Sequence, residues 1–436
     1  DLDEDKIYGV PLWRLVKTQF RWHVRDSRPF TVSPQINIWD LFKNYFKSFG
    51  ALTRILLFNH RIKALFFPHP RLFLVDNAYL ERLSDPLIDS SGITEYLIFE
   101  RNQNGTHKRP RYHESKVIYL DFIDINVYIL SIFFKPLFQL VYLKKINSLY
   151  TKLNETFGID SKRYKSLFAS KITEFILSRL MIAPILKKIN PDVVFFSPRG
   201  TYDYAVSYCK KNGSITVELQ HGIVLTDSDL YTSKSYNKEY DPDYFFVFGN
   251  SNVGEQYGMP IERVLNIGFP FKDYIKNIHK KHFAPNITLV ISEPEITDKI
   301  IAILIDIIKK YPEYEFHIRC HPQEVFSEDH YSKIKKYPQI KVVENKTESF
   351  YAISQYENVM GEQSSVLFEA MSLNKKVARI NYGGLKATNT EKLYGGHVIS
   401  SADDYHEFMV SPYNNELDSK DVYSDFQEDT FKKVLE

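Results

Sequence analysis

The feature that most narrows the fold of this chain is the alternation, along its C-terminal third, of short apolar runs with helix-period segments. Runs at Ile287 to Ile291, Tyr314 to Arg319, Ile340 to Val343, Asn358 to Met360 and Lys376 to Ile380 have the length of strands. Between them, Ile296 to Lys310 repeats Ile and Leu at helical spacing between Asp and Lys, and Ser349 to Gln355 and Ser364 to Leu373 supply further helices. Strands alternating with helices build a parallel sheet with right-handed crossovers. The pattern also occurs upstream, at Asp192 to Phe196, Tyr204 to Lys211, Ser214 to Leu219, Tyr244 to Phe248 and Val264 to Ile267.

Two α/β units are therefore expected, joined between Gly268 and Asn286, where a Lys- and His-rich stretch carries little periodicity. The expected division is an enlarged N-terminal domain over 1–268, a linker over 269–286, a C-terminal domain over 287–420 and a closing helix over 421–436. Strands at Arg71 to Val75, Tyr96 to Phe99 and Val117 to Leu120 are expected to open the N-terminal sheet. The apolar stretch Val127 to Leu143 is interrupted by Lys135 and Pro136 and reads as a buried helix pair rather than a membrane span. Residues 41–63 carry Lys43, Lys47, Arg54, Arg61 and Lys63, no acidic residue and many Phe, Leu and Ile. Such a segment suits peripheral contact with anionic membrane or an ordinary helix with solvated lysines, and the sequence leaves both open.

Two segments carry chemistry. In Glu357 to Met371 a strand runs through Gly361-Glu362-Gln363-Ser364-Ser365 into a helix whose first free N–H groups and dipole favour an anion. Glu369 falls four residues after Ser365, on the same helix face, where a carboxylate accepts hydrogen bonds from a ribose. The serines also suit a plain helix cap. Upstream, Glu315 to Glu324 runs a strand into Arg319-Cys320-His321-Pro322, placing His321 at a strand's carboxyl end, where open α/β sheets bind ligands. His321 and Arg319 there would stabilise charge growing on a phosphate. The bland alternative is a loop histidine held by backbone.

The ordered set Gln220-His221-Gly222, Arg319-Cys320-His321-Pro322 and Glu362-Gln363-Ser364-Ser365 with Glu369 resembles the GT-B nucleotide-sugar glycosyltransferases. It is most similar to bacterial capsule polysialyltransferases and teichoic-acid glycerophosphate polymerases, over roughly residues 190 to 400. The resemblance implies two Rossmann-like domains facing a cleft. It makes His321, Arg319, Ser364 and Ser365 donor-phosphate ligands, places Glu369, Gln363 and Pro322 at the donor nucleotide, and makes His221 the general base. Sialyltransferase-like members have an acidic residue where this chain has Gln220-His221, and the polymerases place an aromatic residue, not Gln, before His-Gly; the donor class stays open on this point. A His with an ordinary pKa also suits a base acting near neutral pH; Asp227 and Asp229, and less readily Glu218, are the alternatives.

The implied reaction moves a sugar from a CMP-, CDP- or UDP-linked donor to a bacterial surface glycan or lipid-linked glycan acceptor, with inversion and without a required metal or cofactor. A teichoic-acid-type CDP-glycerol or ribitol phosphotransferase, a non-catalytic nucleotide- or glycan-binding member of an assembly complex, and a sugar-nucleotide epimerase are the rivals. Asp227-Ser228-Asp229 and Asp241-Pro242-Asp243 read as turns before they read as metal ligands. Cys209 and Cys320 stand alone, so neither zinc nor a disulfide framework is indicated. No GxxxxGK[ST] or GxGxxG loop occurs. A formal net charge of +2 gives no reason to propose nucleic-acid binding. The acidic opening Asp1-Leu2-Asp3-Glu4-Asp5 is unlike a secretory signal, and a cytoplasmic location, peripheral to the inner face of a plasma membrane, is expected.

Overall fold

The strands of this chain sort their side chains onto two faces, because alternate residues of a strand point to opposite sides. Ala64 and Phe66, like Val193 and Phe195, enter one core cluster, while Leu65, Phe67, Val194 and Phe196 enter another. Strands covered on both faces read as unbroken apolar runs, as the expected run ending at Phe196 does. The computed structural model describes residues 6–7, 10–25, 38–57, 61–75, 77–103, 105–158, 165–222, 231, 236–254, 257–272, 282–293, 296–321, 324, 326–343, 347–362, 364–381, 397–412 and 419–435.

A short hairpin of β1 (Lys6–Ile7) and β2 (Val10–Pro11) is followed by helices α1 (Leu12–Arg25) and α2 (Ile38–Leu57), then β3 (Ala64–Phe67). A second hairpin, β4 (Phe73–Val75) and β5 (Ala78–Leu80), leads through α3 (Ser84–Ser91) to β6 (Tyr96–Glu100) and β7 (Val117–Tyr119). Helices α4 (Asp121–Phe157) and α5 (Lys165–Ile189) return the chain to β8 (Val193–Phe196), α6 (Asp203–Lys211), β9 (Ile215–Leu219), β10 (Tyr244–Val247) and β11 (Val264–Asn266). The first large sheet has seven parallel strands in the order β11-β10-β9-β8-β3-β6-β7. The chain therefore reverses its direction of travel between β3 and β8.

Two expectations for this half are corrected. The sheet opens with Ala64–Phe67, and the run expected as a sheet strand at Arg71 to Val75 instead pairs antiparallel with β5. The stretch Val127 to Leu143 is neither broken nor a buried pair. It lies within the single helix α4, with Pro136 inside it and Phe133 and Leu140 71% and 72% exposed.

The second sheet contains β12 (Ile287–Ile291), β13 (Glu315–Arg319), β14 (Ile340–Val343), β15 (Asn358–Gly361), β16 (Lys376–Ile380) and β17 (Val398–Ile399), all parallel, in the order β14-β13-β12-β15-β16-β17. Helices α7 (Thr297–Lys310), α8 (Glu328–Ile334), α9 (Ser349–Ser354), α10 (Ser365–Ser372) and α11 (Ala402–Val410) alternate with them. Helix α7 forms where the sequence places it: Ile300, Ile301, Leu304, Ile307 and Ile308 are buried on one face, and Lys309 and Lys310 complement its C-terminal dipole. In this sheet the direction of travel reverses between β12 and β15.

The two sheets share one core. Leu289, Val359 and Val377 of the second sheet join Phe66, Phe195 and Val217 of the first in a single cluster. Phe269 and Phe271, at the start of the span read as a linker, are buried in it and pack on Phe350. The chain's end crosses back as two short helices, α12 (Ser419–Val422) and α13 (Glu428–Leu435). Ser424 donates its N–H to the carbonyl of Phe248, Phe269 donates to the carbonyl of Ser424, and Phe431 stacks on Phe195.

Candidate functional site

Open α/β sheets bind ligands outside the carboxyl ends of their strands where the chain reverses direction. In the second sheet that point lies between β12 and β15, and β15 runs through Gly361 and Glu362 to Ser364 at the start of α10. Gly361 is tight: a Cβ there would sit 3.2 Å from the Ile291 Cβ. Ser364 is the N-cap, its hydroxyl accepting from the Val366 N–H at 3.4 Å, and Ser365 is exposed in the first turn. His321 follows the neighbouring strand β13. Its N–H donates to Glu324 Oε2 at 3.3 Å, and the Glu324 carboxylate accepts from Ser292 Oγ after β12. Burial, then the charge of Arg71, lowers the His321 pKa, so its ring is neutral near pH 7.

In the first sheet the reversal lies between β3 and β8. His69 follows β3, Arg199 follows β8 and His221 follows the adjacent β9. The His69 and His221 rings stack, 4.0 Å between centroids and 18° apart in plane. The Arg71 N–H donates to His69 Nδ1 at 3.1 Å. His221 is held through its backbone, its N–H donating to the Tyr231 hydroxyl at 2.8 Å and its carbonyl accepting from Arg82 Nη2 at 3.2 Å. Its Nδ1 is buried and has no hydrogen-bond partner among the described residues. Burial, with the charges of Arg82 and Arg71, pushes the His221 pKa down to about 3.

Arg82 connects the halves. Its Nη1 donates to Glu369 Oε1 at 3.0 Å and reaches Glu348 Oε1 at 3.5 Å, while Nη2 holds the His221 carbonyl. Glu369 is 1% exposed, and its Oε2 has no hydrogen-bond partner among the described residues. Burial and the neighbouring Glu369 raise the Glu348 pKa. The aim of Arg82 is set locally: Glu81 Oε2 accepts from the N–H groups of Leu83 and Ser84, pinning the turn that starts α3.

The structure thus brings His221 and Glu369 to opposite sides of one guanidinium. The charge of Arg71 bears on all three histidines, His69, His221 and His321. The Arg319 guanidinium donates to the carbonyl and hydroxyl of Thr347, fixing the approach to α9. Gln220 is fully buried and structural, donating to the Gly222 carbonyl and Asn252 Oδ1 and accepting from the Phe248 N–H. Glu218 is buried against Arg199, at 2.7 Å. Asp241 and Asp243 bond into their own turn and to Thr216. Among the described residues no group of three or more His, Cys, Asp or Glu is arranged to hold a metal. Asp227, Asp229, Pro322 and Gln363 lie outside the described residues.

Arg82, His69, Arg71 and Glu348 were not read from the sequence. A usable signal existed for His69: Phe67-Pro68-His69-Pro70 follows a strand just as His321-Pro322 does. Nothing local marks Arg82, whose partners lie 139 and 287 residues away.

No family model and no curated protein matches the sequence. Solved structures do match. UDP-GlcNAc 2-epimerase from Methanocaldococcus jannaschii aligns over 86% of this chain and 99% of that chain, with 11% identity and a TM-score of 0.50. A second UDP-N-acetylglucosamine 2-epimerase aligns over 87% and 95%, with 10% identity and a TM-score of 0.50. A pneumococcal O-GlcNAc transferase, GtfA, aligns over 53% and 52% at 14% identity, with a TM-score of 0.35 too low to add to the assignment. At these identities the likeness concerns the fold alone, a two-domain GT-B architecture of parallel α/β sheets.

Proposed function

We propose that this chain is a glycosyltransferase of GT-B type. It moves a sugar from a nucleotide-activated donor to a bacterial surface glycan acceptor, and it does so without a metal. The observation that carries the reading is that Arg82 holds both the His221 carbonyl and Glu369 Oε1, on two residues whose other buried polar atoms, His221 Nδ1 and Glu369 Oε2, lack partners among the described residues. A buried carboxylate oxygen without a partner is costly unless a ligand satisfies it. In the proposed complex a ribose hydroxyl donates to Glu369 Oε2, and the donor phosphates lie against His321 and the start of α10 at Ser364 and Ser365.

His221 acts as the base. Its ring is neutral at pH 7 and ready to accept a proton, but its depressed pKa makes it a weak base in the free protein. The depression comes from burial and two arginines, so the negative charge of a bound diphosphate opposes the arginine contribution and strengthens the base when donor is present. A base placed opposite the donor favours direct displacement and inversion. Closure around both substrates excludes water and disfavours donor hydrolysis.

The epimerase rival acts on the nucleotide sugar without any acceptor, which the test below separates from transfer. Because both neighbours of like fold are named for UDP-GlcNAc, UDP belongs in the test beside CMP and CDP. Thermal melts of the purified protein with each nucleotide should show one that raises the Tm through binding to the folded state. That shift should be lost in His321→Ala and Ser364→Ala. Incubation of the matching sugar nucleotide with and without a glycan acceptor then separates the reactions: transfer requires acceptor, whereas donor isomerised without acceptor would establish the epimerase. No shift with any nucleotide would refute the donor site.

A further inference from the structure

Helices α2 and α4 leave a large apolar surface uncovered. On α2, Phe42, Phe46 and Phe49 are exposed, Phe46 by 64%; on α4, Phe133, Leu137 and Leu140 are exposed at helical spacing. The helices lie side by side: Tyr45 and Phe49 pack on Phe122, and the Asn126 amide donates to the Tyr45 hydroxyl at 3.1 Å. Exposed apolar surface on this scale marks a place where something binds. We infer that the α2–α4 face seats this protein on the surface of an anionic lipid bilayer. The inference rests on this face alone, independently of the chemistry in the cleft.

Charge selects the occupant. Lys43, Lys47 and Arg54 are exposed on α2 among the aromatic residues, and Asp40 is the acidic residue of that helix. A second copy seated on the same face would bring these like charges together, and lysine is depleted at protein interfaces. A bilayer with anionic headgroups accepts the cations while its acyl boundary accepts the rings. Trp39, 82% exposed at the start of α2, suits the headgroup level.

Geometry selects lying on the bilayer over crossing it. Residues Asp121–Tyr142 form a helix long and apolar enough to span a membrane. Both ends, however, are anchored in one body: the Asp121 carboxylate is buried against His107, and Tyr142 is packed in the cluster that holds Phe168. Strand β7 before α4 and strand β8 after α5 belong to the same sheet. The chain therefore leaves and re-enters one domain, which places α4 along the membrane.

Flotation of the full chain with vesicles tests this, using phosphatidylcholine alone and phosphatidylcholine mixed with phosphatidylglycerol. The protein should float with the anionic vesicles and largely remain behind with the neutral ones. Binding should weaken roughly tenfold or more in the double variant Phe133→Glu, Leu137→Glu, and in a second double variant, Lys43→Glu, Lys47→Glu. These side chains are exposed, so melting curves should show that the variants fold. Failure to float with either vesicle would overturn the inference, as would binding unchanged in both variants. So would a dimer in sedimentation that Phe133→Glu, Leu137→Glu dissolves, since the face would then be covered by a second copy.

Discussion

At the scale of single residues, Arg82 does the most. It is the shared partner of two buried carboxylates and of the His221 backbone, so its removal leaves Glu348 and Glu369 with uncompensated charge in a dry site. Arg82→Met should cost roughly 3 kcal/mol in urea unfolding. Adding Glu348→Gln should recover part of that loss by removing one of the stranded charges. An Arg82→Met variant as stable as the parent would contradict this role. Sequence reasoning reached the residues announced by local pattern, namely His221 and His321 at strand ends, Ser364 and Ser365 at a helix start, and Glu369 on that helix's face. It did not reach Arg82, because a guanidinium is placed by tertiary closure across 287 residues rather than by periodicity.

At the scale of elements, the junction of β6, β7 and α4 is held by charge. His107 stacks on Tyr119, and its two ring nitrogens lie 2.9 Å from Glu100 Oε1 and 2.7 Å from Asp121 Oδ2. Burial alone would lower its pKa, but the bonds to the two carboxylates outweigh burial and raise it. A His raised in the folded state adds stability that is full below its unfolded pKa of about 6.5 and is lost as pH rises through the folded value. The stability gap between the parent and His107→Gln should therefore be widest below about pH 6.5 and narrow as pH rises through the raised folded value. A gap that is constant or grows with pH would refute the assignment. Helix α4 also shows why part of the N-terminal half was illegible: apolar on its packed and exposed sides alike, it gives no contrast for a period to show. Strand β3 was missed beside the Pro68-His69-Pro70 run, which reads as loop.

At the scale of the whole molecule, the two sheets are tied together by one hydrophobic cluster and by the returning C-terminal segment. Gly268 shows how close that return is: its φ is +73°, and a Cβ there would lie 2.1 Å from the Asp425 carbonyl oxygen. Gly268→Ala should lower stability by more than about 1 kcal/mol, from backbone strain with a backbone clash added. Unchanged melting in that variant would mean that the segment docks elsewhere. The strands Ile287–Ile291, Asn358–Gly361 and Lys376–Ile380 were legible because their central residues are apolar and buried on both faces, whereas the two-residue strand Val398–Ile399 and the helices Glu328–Ile334 and Ala402–Val410 gave no such signal. The meeting of the two domains was not legible, since the residues that join them lie far apart in the chain.

The central claim is that donor binding and proton abstraction belong to opposite walls of one cleft. Isothermal titration of the nucleotide that stabilises the protein, into the parent, His221→Ala and Glu369→Gln, combined with turnover of the matching sugar nucleotide, tests it most directly. His221→Ala should bind nucleotide within about threefold of the parent while turnover falls at least a hundredfold, in the range general-base removal costs. Glu369→Gln should weaken binding itself. Loss of nucleotide affinity in His221→Ala, or undiminished turnover, would contradict the division of labour between the two walls.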